Sequence, residues 1–133
     1  MSTSEPALFT FVKLTVADID AATTFFESGF GLKHADTVDT PKFREHMMTG
    51  PKGSTTIVLF HWKDGRAIDT GNGYGPVGMV SRDLDADLAR ALAAGAKQKG
   101  ETVQFGPARI AFVRTPDGHE IEIMEMGAAA TAA

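Results

Sequence analysis

Phe112-Val113-Arg114-Thr115-Pro116-Asp117-Gly118-His119-Glu120-Ile121-Glu122-Ile123 is the stretch that decides the fold. Pro116 fixes its own φ near the value a turn needs, and Gly118 accepts the positive φ that closes the turn. The residues on either side, 109–114 and 119–126, are rich in β-branched and apolar types and read as two strands of a hairpin. Strand periodicity then puts Glu122, Met124 and Met126 on one face, with Ile121 and Ile123 on the other. Upstream, Val77-Gly78-Met79-Val80 reads as a strand. Asp83 caps a helix that carries Leu84, Leu88 and Leu92 on one face and stops at Gly95. A weaker short strand is expected around Gln98-Lys99. The order is βαβββ.

The first half of the chain repeats this plan. Residues 9–16 read as a strand, and Asp18 caps a helix with Ile19, Ala22 and Phe26 at helical spacing, ending at Gly29 and Gly31. Three extended segments follow, 32–36, 43–49 and 55–62, separated by Pro41, Pro51-Lys52-Gly53 and Asp64-Gly65. Asp18-Ile19-Asp20-Ala21 recurs as Asp83-Leu84-Asp85-Ala86, and Gly31-Leu32-Lys33 as Gly95-Ala96-Lys97. A half-length repeat is the economical explanation. The expected organisation is one α+β domain over 1–127, with modules at 8–63 and 75–126, a Gly- and Asp-rich linker at 64–74, and a mobile tail at 128–133.

With 133 residues the chain suffices for one buried core. It has 13 basic against 17 acidic residues and no basic run that could follow a phosphate backbone, so nucleic acid is not an expected partner. The absence of cysteine excludes disulfides and thiolate chemistry. The polar start Met1-Ser2-Thr3-Ser4-Glu5-Pro6 and the lack of any long apolar run point to a cytoplasmic protein with no membrane partner.

Two βαβββ modules, the Val16-Ala17-Asp18-Ile19 entry into the first helix and the Pro116-Asp117-Gly118-His119 turn together resemble the vicinal-oxygen-chelate superfamily of glyoxalases, bleomycin-resistance proteins and dioxygenases. The resemblance covers about residues 9–126. It implies a curved eight-stranded mixed sheet around a cavity, helices on the outer face, and a homodimer whose modules pair within or between chains. Metalloenzymes of that family place His or Glu ligands at four pocket positions. These fall on Phe11, on Val58 or a neighbour such as Phe60, on Pro76 and on Glu122, of which only Glu122 can donate to a metal. One carboxylate does not hold a cation that needs three or four donors. The expectation is therefore a site with neither metal nor cofactor. His34, His46, His61 and His119 lack close ligand spacing and read as surface or turn residues.

If Phe11 faces the cavity, Lys13 and Thr15 share its face, as Val58, Phe60 and Trp62 share another strand's face. With Pro76 and Met124 they form an aromatic and thioether lining suited to a flat hydrophobic small molecule. Arg44 and His46, two apart on one strand, are further candidates for ligand contact. Glu122 is the candidate base, because desolvation would raise a carboxyl pKa. Lys13 is its candidate partner, either stabilising an enolate or forming an ion pair with Glu122. The functions to weigh are a metal-free binding protein, a cofactor-free lyase or isomerase using Glu122, and a metal-dependent glyoxalase or dioxygenase, which conflicts with Phe11, Val58 and Pro76.

Overall fold

The structure, a computed structural model, describes residues 5–127; the expected tail lies outside them. The elements run β1 (Phe11–Thr15), α1 (Ile19–Phe30), β2 (Lys33–Asp39), β3 (Phe43–Thr49), β4 (Thr56–Trp62), then β5 (Val77–Ser81), α2 (Leu84–Ala93), β6 (Lys97–Phe105), β7 (Ala108–Arg114) and β8 (Glu120–Met126). This is βαβββ twice. Both helices start as the sequence directs: Asp18 and Asp83 accept from the backbone N–H groups of Ala21 and Ala86. Gly31 ends α1 at φ 68°, a left-handed conformation that glycine adopts without a Cβ clash.

The strands form two four-stranded mixed sheets, in the orders β1-β4-β3-β2 and β5-β8-β7-β6. In each, the first strand lies parallel to the fourth and the remaining neighbours are antiparallel. The expected eight-stranded sheet is thus two sheets that share no ladder within the chain. Among the described residues, no strand pairs with the outer edge of β1 or of β5. Phe11 on β1 is 53% exposed and Val80 on β5 is 78% exposed.

Instead, the helix layer joins the modules. Leu14, Phe26, Met48 and Leu59 of the first module share one core with Leu84, Ala111, Val113, Ile121 and Ile123 of the second. The helices approach closely at Gly29, where an added Cβ would lie 3.2 Å from Ala94 Cβ. Leu84 is fully buried, but Leu92 is 38% exposed, because Ala91 takes the last place against α1. The expected short strand near Gln98-Lys99 is in fact the nine-residue β6, with a register shift between Lys99 and Val103. Its polar sequence hides it, since an edge strand with few buried residues carries little hydrophobic alternation.

The Pro-Asp-Gly-His turn also clasps the modules together. Asp117 Oδ1 accepts from the Ala17 N–H at 2.9 Å, and His119 Nε2–H donates to the Thr15 carbonyl at 2.7 Å. His61 Nδ1–H donates to the intervening Val16 carbonyl at 3.1 Å. The segment linking β1 to α1 is therefore held by side chains from both modules. His119 is more than a turn residue, because its ring reaches across the domain to the end of β1.

Candidate functional site

Register places the side chains. On the face of the first sheet turned away from the helices, Phe11, Lys13 and Thr15 align with Thr56, Val58 and Phe60 of β4. Trp62, Phe60 and Val58 in turn face Phe43, Glu45 and Met47 of β3. Three rings form one cluster there: Phe43 stacks on Phe60 at 5.0 Å between centroids, and Trp62 meets Phe60 edge-on at 4.7 Å. The Arg66 guanidinium, from the linker, lies 4.0 Å over the Trp62 ring. The same arginine pairs with Asp64, whose carboxyl it pulls down to about 2.

Glu45 lies beside this cluster, only 5% exposed. Its Oε2 is 2.7 Å from Lys13 Nζ, and Lys13 itself remains half exposed, with its ammonium 5.4 Å from the Phe60 ring centre. The Lys13 partner expected from sequence was Glu122; the structure pairs it with Glu45. Glu45 was missed because β3 was read by the parity of Arg44 and His46, which places its charged residues on the wrong side.

Arg44 and His46, the other candidates for ligand contact, lie on the opposite face of β3. They alternate with Phe43, Glu45 and Met47; His46 points under α1 toward Thr23, and Arg44 pairs with Asp39 at 3.2 Å. His46 is 3% exposed and its Nδ1 lies 2.7 Å from Thr23 Oγ1. Because the Thr23 hydroxyl donates to the Ile19 carbonyl, Nδ1–H must be the donor to Thr23. Nε2 then accepts from Arg44 Nε at 3.1 Å, while the His34 ring stacks on His46 at 3.9 Å. Neutral imidazole satisfies all these contacts and imidazolium does not. Burial, first, then the charges of His34 and Arg44 hold the His46 pKa below its usual value, against the opposing pull of Asp20 and Glu27. The unfolded chain takes up a proton near pH 6.5 that folded His46 resists, so stability is fully present above that pH and falls as the pH drops through the lowered folded value. Urea titrations at pH 7.5 and 5.5 should show this loss. In His46→Asn the loss between the two pH values should shrink, and an unchanged loss would put its source elsewhere.

On the second sheet, Glu122 lies between Gly78 of β5 and Phe112 of β7, and Met124 between Val80 and Ile110. Glu122 is half-buried and makes no hydrogen bond or ion pair among the described residues. Its neighbour Glu120 is engaged by Lys99 at 2.7 Å and Arg114 at 3.4 Å, which lower its pKa. Pro76 sits one residue before β5. Lys13 and Glu122, on separate sheets, are not brought into contact within one chain. Between the open edges of β1 and β5 lies a trough of about 1490 Å³ bordered by Lys13, Thr15, Trp62, Tyr74 and Pro76. It is open on the side where both edge strands lack a neighbour, and neither Glu122 nor Phe60 borders it.

At the four positions that the resemblance assigns to metal ligands, Phe11 and Val58 present hydrocarbon, Pro76 presents a ring without a free N–H, and Glu122 presents the one carboxylate. Among the described residues, no three His, Asp or Glu side chains converge on a point that could hold a metal.

Comparison with known proteins agrees with this architecture. The chain is 27% identical over 125 residues to a putative lactoylglutathione lyase of Brassica oleracea var. gemmifera, an alignment that takes in 90% of this chain and 44% of that protein. It therefore spans less than half the length of that relative. A glyoxalase family protein from Bacillus cereus superposes with a TM-score of 0.81 at 23% identity, covering 96% of this chain and 99% of that one. An antibiotic binding protein from Streptomyces sp. CB03234 superposes with a TM-score of 0.72 at 19% identity, covering 93% and 99%. Both likenesses concern the fold. The family model of the Glyoxalase/Bleomycin resistance protein/Dioxygenase superfamily matches residues 8–123, nearly all of the two modules, and the chain belongs to that superfamily.

Proposed function

We propose that this protein binds a small, flat, hydrophobic molecule without a metal. The observation that carries the proposal is the Phe43–Phe60–Trp62 cluster on a sheet face where the family ligand positions are Phe11 and Val58. Such a face rewards burial of apolar ligand surface at about 25 cal/mol per Å² and gives a cation nothing to coordinate. The described residues do not fit a resident metal. The fold shared with an antibiotic binding protein supports a binding role.

The relatives named as lactoylglutathione lyases favour a second reading, a cofactor-free lyase or isomerase. There Glu122, free of polar partners among the described residues, would take a proton from a carbon acid. Turnover abolished in Glu122→Gln with ligand affinity retained would distinguish it from pure binding.

The partner in this proposal is a second copy. The open edges of β1 and β5 carry exposed Phe11 and Val80, and each sheet's helix-free face lacks a cover in one chain. A homodimer that brings these faces together would enclose the ligand and set Glu122 of one sheet against the aromatic cluster of the other.

The test is a thermal-shift screen of planar aromatic compounds, polyketides and antibiotics, run with a chelator throughout. A ligand at a hundred times its Kd should add about 2.7 kcal/mol and raise Tm by several degrees. The proposal fails if no compound shifts Tm, or if shifts appear only when the chelator is replaced by a divalent metal.

A further inference from the structure

The polar chemistry of the aromatic face is uneven. Glu45 Oε2 is closed to solvent and has no hydrogen-bond partner, so its contact with Lys13 is an ion pair without hydrogen-bond alignment. Oε2 is therefore turned away from a ligand arriving on this face. What such a ligand meets is the ammonium of the half-exposed Lys13 side chain, beside the Phe60 ring, with three N–H donors and, among the described residues, no acceptor aligned to any of them. The ammonium therefore keeps donors that can turn to an acceptor on a ligand. The second cation on this face, Arg66, covers the Trp62 ring and is matched by Asp64, so that pair adds no net charge of either sign to the face.

Glu45 explains why a lysine can stay there. An ammonium beside the Phe60 ring is costly to desolvate, and a buried carboxylate 2.7 Å away offsets that cost while fixing where Nζ stands. The brace leaves the outer side of the ammonium free. Phe60 lies within cation-π range of Nζ and stacks on Phe43, so a ring laid on this face has its edge near the ammonium.

We infer that the site selects planar ligands bearing an anionic oxygen, a carboxylate or a phenolate, and that Lys13 Nζ receives this oxygen while Glu45 holds the ammonium in place. The inference rests on the aromatic-ligand reading above and adds the ligand's charge.

Trp62 is the only tryptophan, so its emission reports binding at this face. Three probes of one shape separate the possibilities: cinnamate, cinnamyl alcohol and cinnamylammonium, titrated into the full chain at low ionic strength. Cinnamate should bind at least about fivefold more tightly than the alcohol, as a charge-assisted hydrogen bond to a half-exposed ammonium allows, and cinnamylammonium should bind least. Lys13→Met should bring cinnamate and the alcohol to within about twofold of each other, and Lys13→Arg should keep the preference. The wild-type ranking decides the question even if Lys13→Met folds poorly. Equal affinity for the three probes, or a preference for the ammonium, overturns the inference but leaves the aromatic site standing. Silence from all three overturns both.

Discussion

Phe26→Ala should lower stability by about 3–5 kcal/mol, the largest loss we expect from any single truncation. Phe26 is 1% exposed on the buried side of α1, with Phe25 edge-on at 5.1 Å and Phe30 at 6.0 Å. Removing its ring leaves a void in a core that both modules share, so the effect should extend beyond the first βαβββ unit. Urea denaturation should show one transition with its midpoint lowered and its slope kept. A biphasic curve would mean that the modules are held together less firmly than the common core and the Asp117–His119 clasp imply.

Lys13→Met should cost about 2 kcal/mol, less than a fully buried ion pair would because Lys13 itself is half exposed. The loss comes mostly from Glu45, whose carboxylate would be left in an apolar setting with no partner. Lys13→Met combined with Glu45→Gln should recover to within about 1 kcal/mol of the wild type, since the stranded charge is then gone. If the double variant were as unstable as the single one, the cost would lie in packing of the lysine stem instead.

Much of the fold was legible because its signals are local. Asp18 and Asp83 are caps by side-chain chemistry, Gly31 and Gly118 sit at positive φ, and Phe43 and Thr49 bound β3 as read from the sequence. Less local features were hidden. The pairing of β6 with β7 comes from the hairpin and not from β6's own pattern, so Lys97–Phe105 gave only a trace of a strand. On the site, strand parity groups Phe11 with Lys13, and Phe60 with Trp62, but it cannot say which parity of β3 faces them. Arg44 and His46 drew attention as polar residues, whereas Glu45 between them stands on the aromatic face. The separation of the sheets was equally out of reach, because whether β1 and β5 find their neighbours in one chain or in two depends on the relation between modules. Thr15-Val16-Ala17 carries no side-chain signal that it would be clasped by Asp117, His119 and His61.

The central claim is that the protein binds its ligand without a metal, and metal retention tests it most directly. The purified chain would be incubated with Zn²⁺, Ni²⁺, Mn²⁺ and Fe²⁺ in turn, desalted, and its metal content measured by elemental analysis beside a Glu122→Gln variant. The account predicts only trace metal in both proteins. Near-stoichiometric metal in the wild type, lost in Glu122→Gln, would contradict it and restore Glu122 as a ligand in a metalloenzyme.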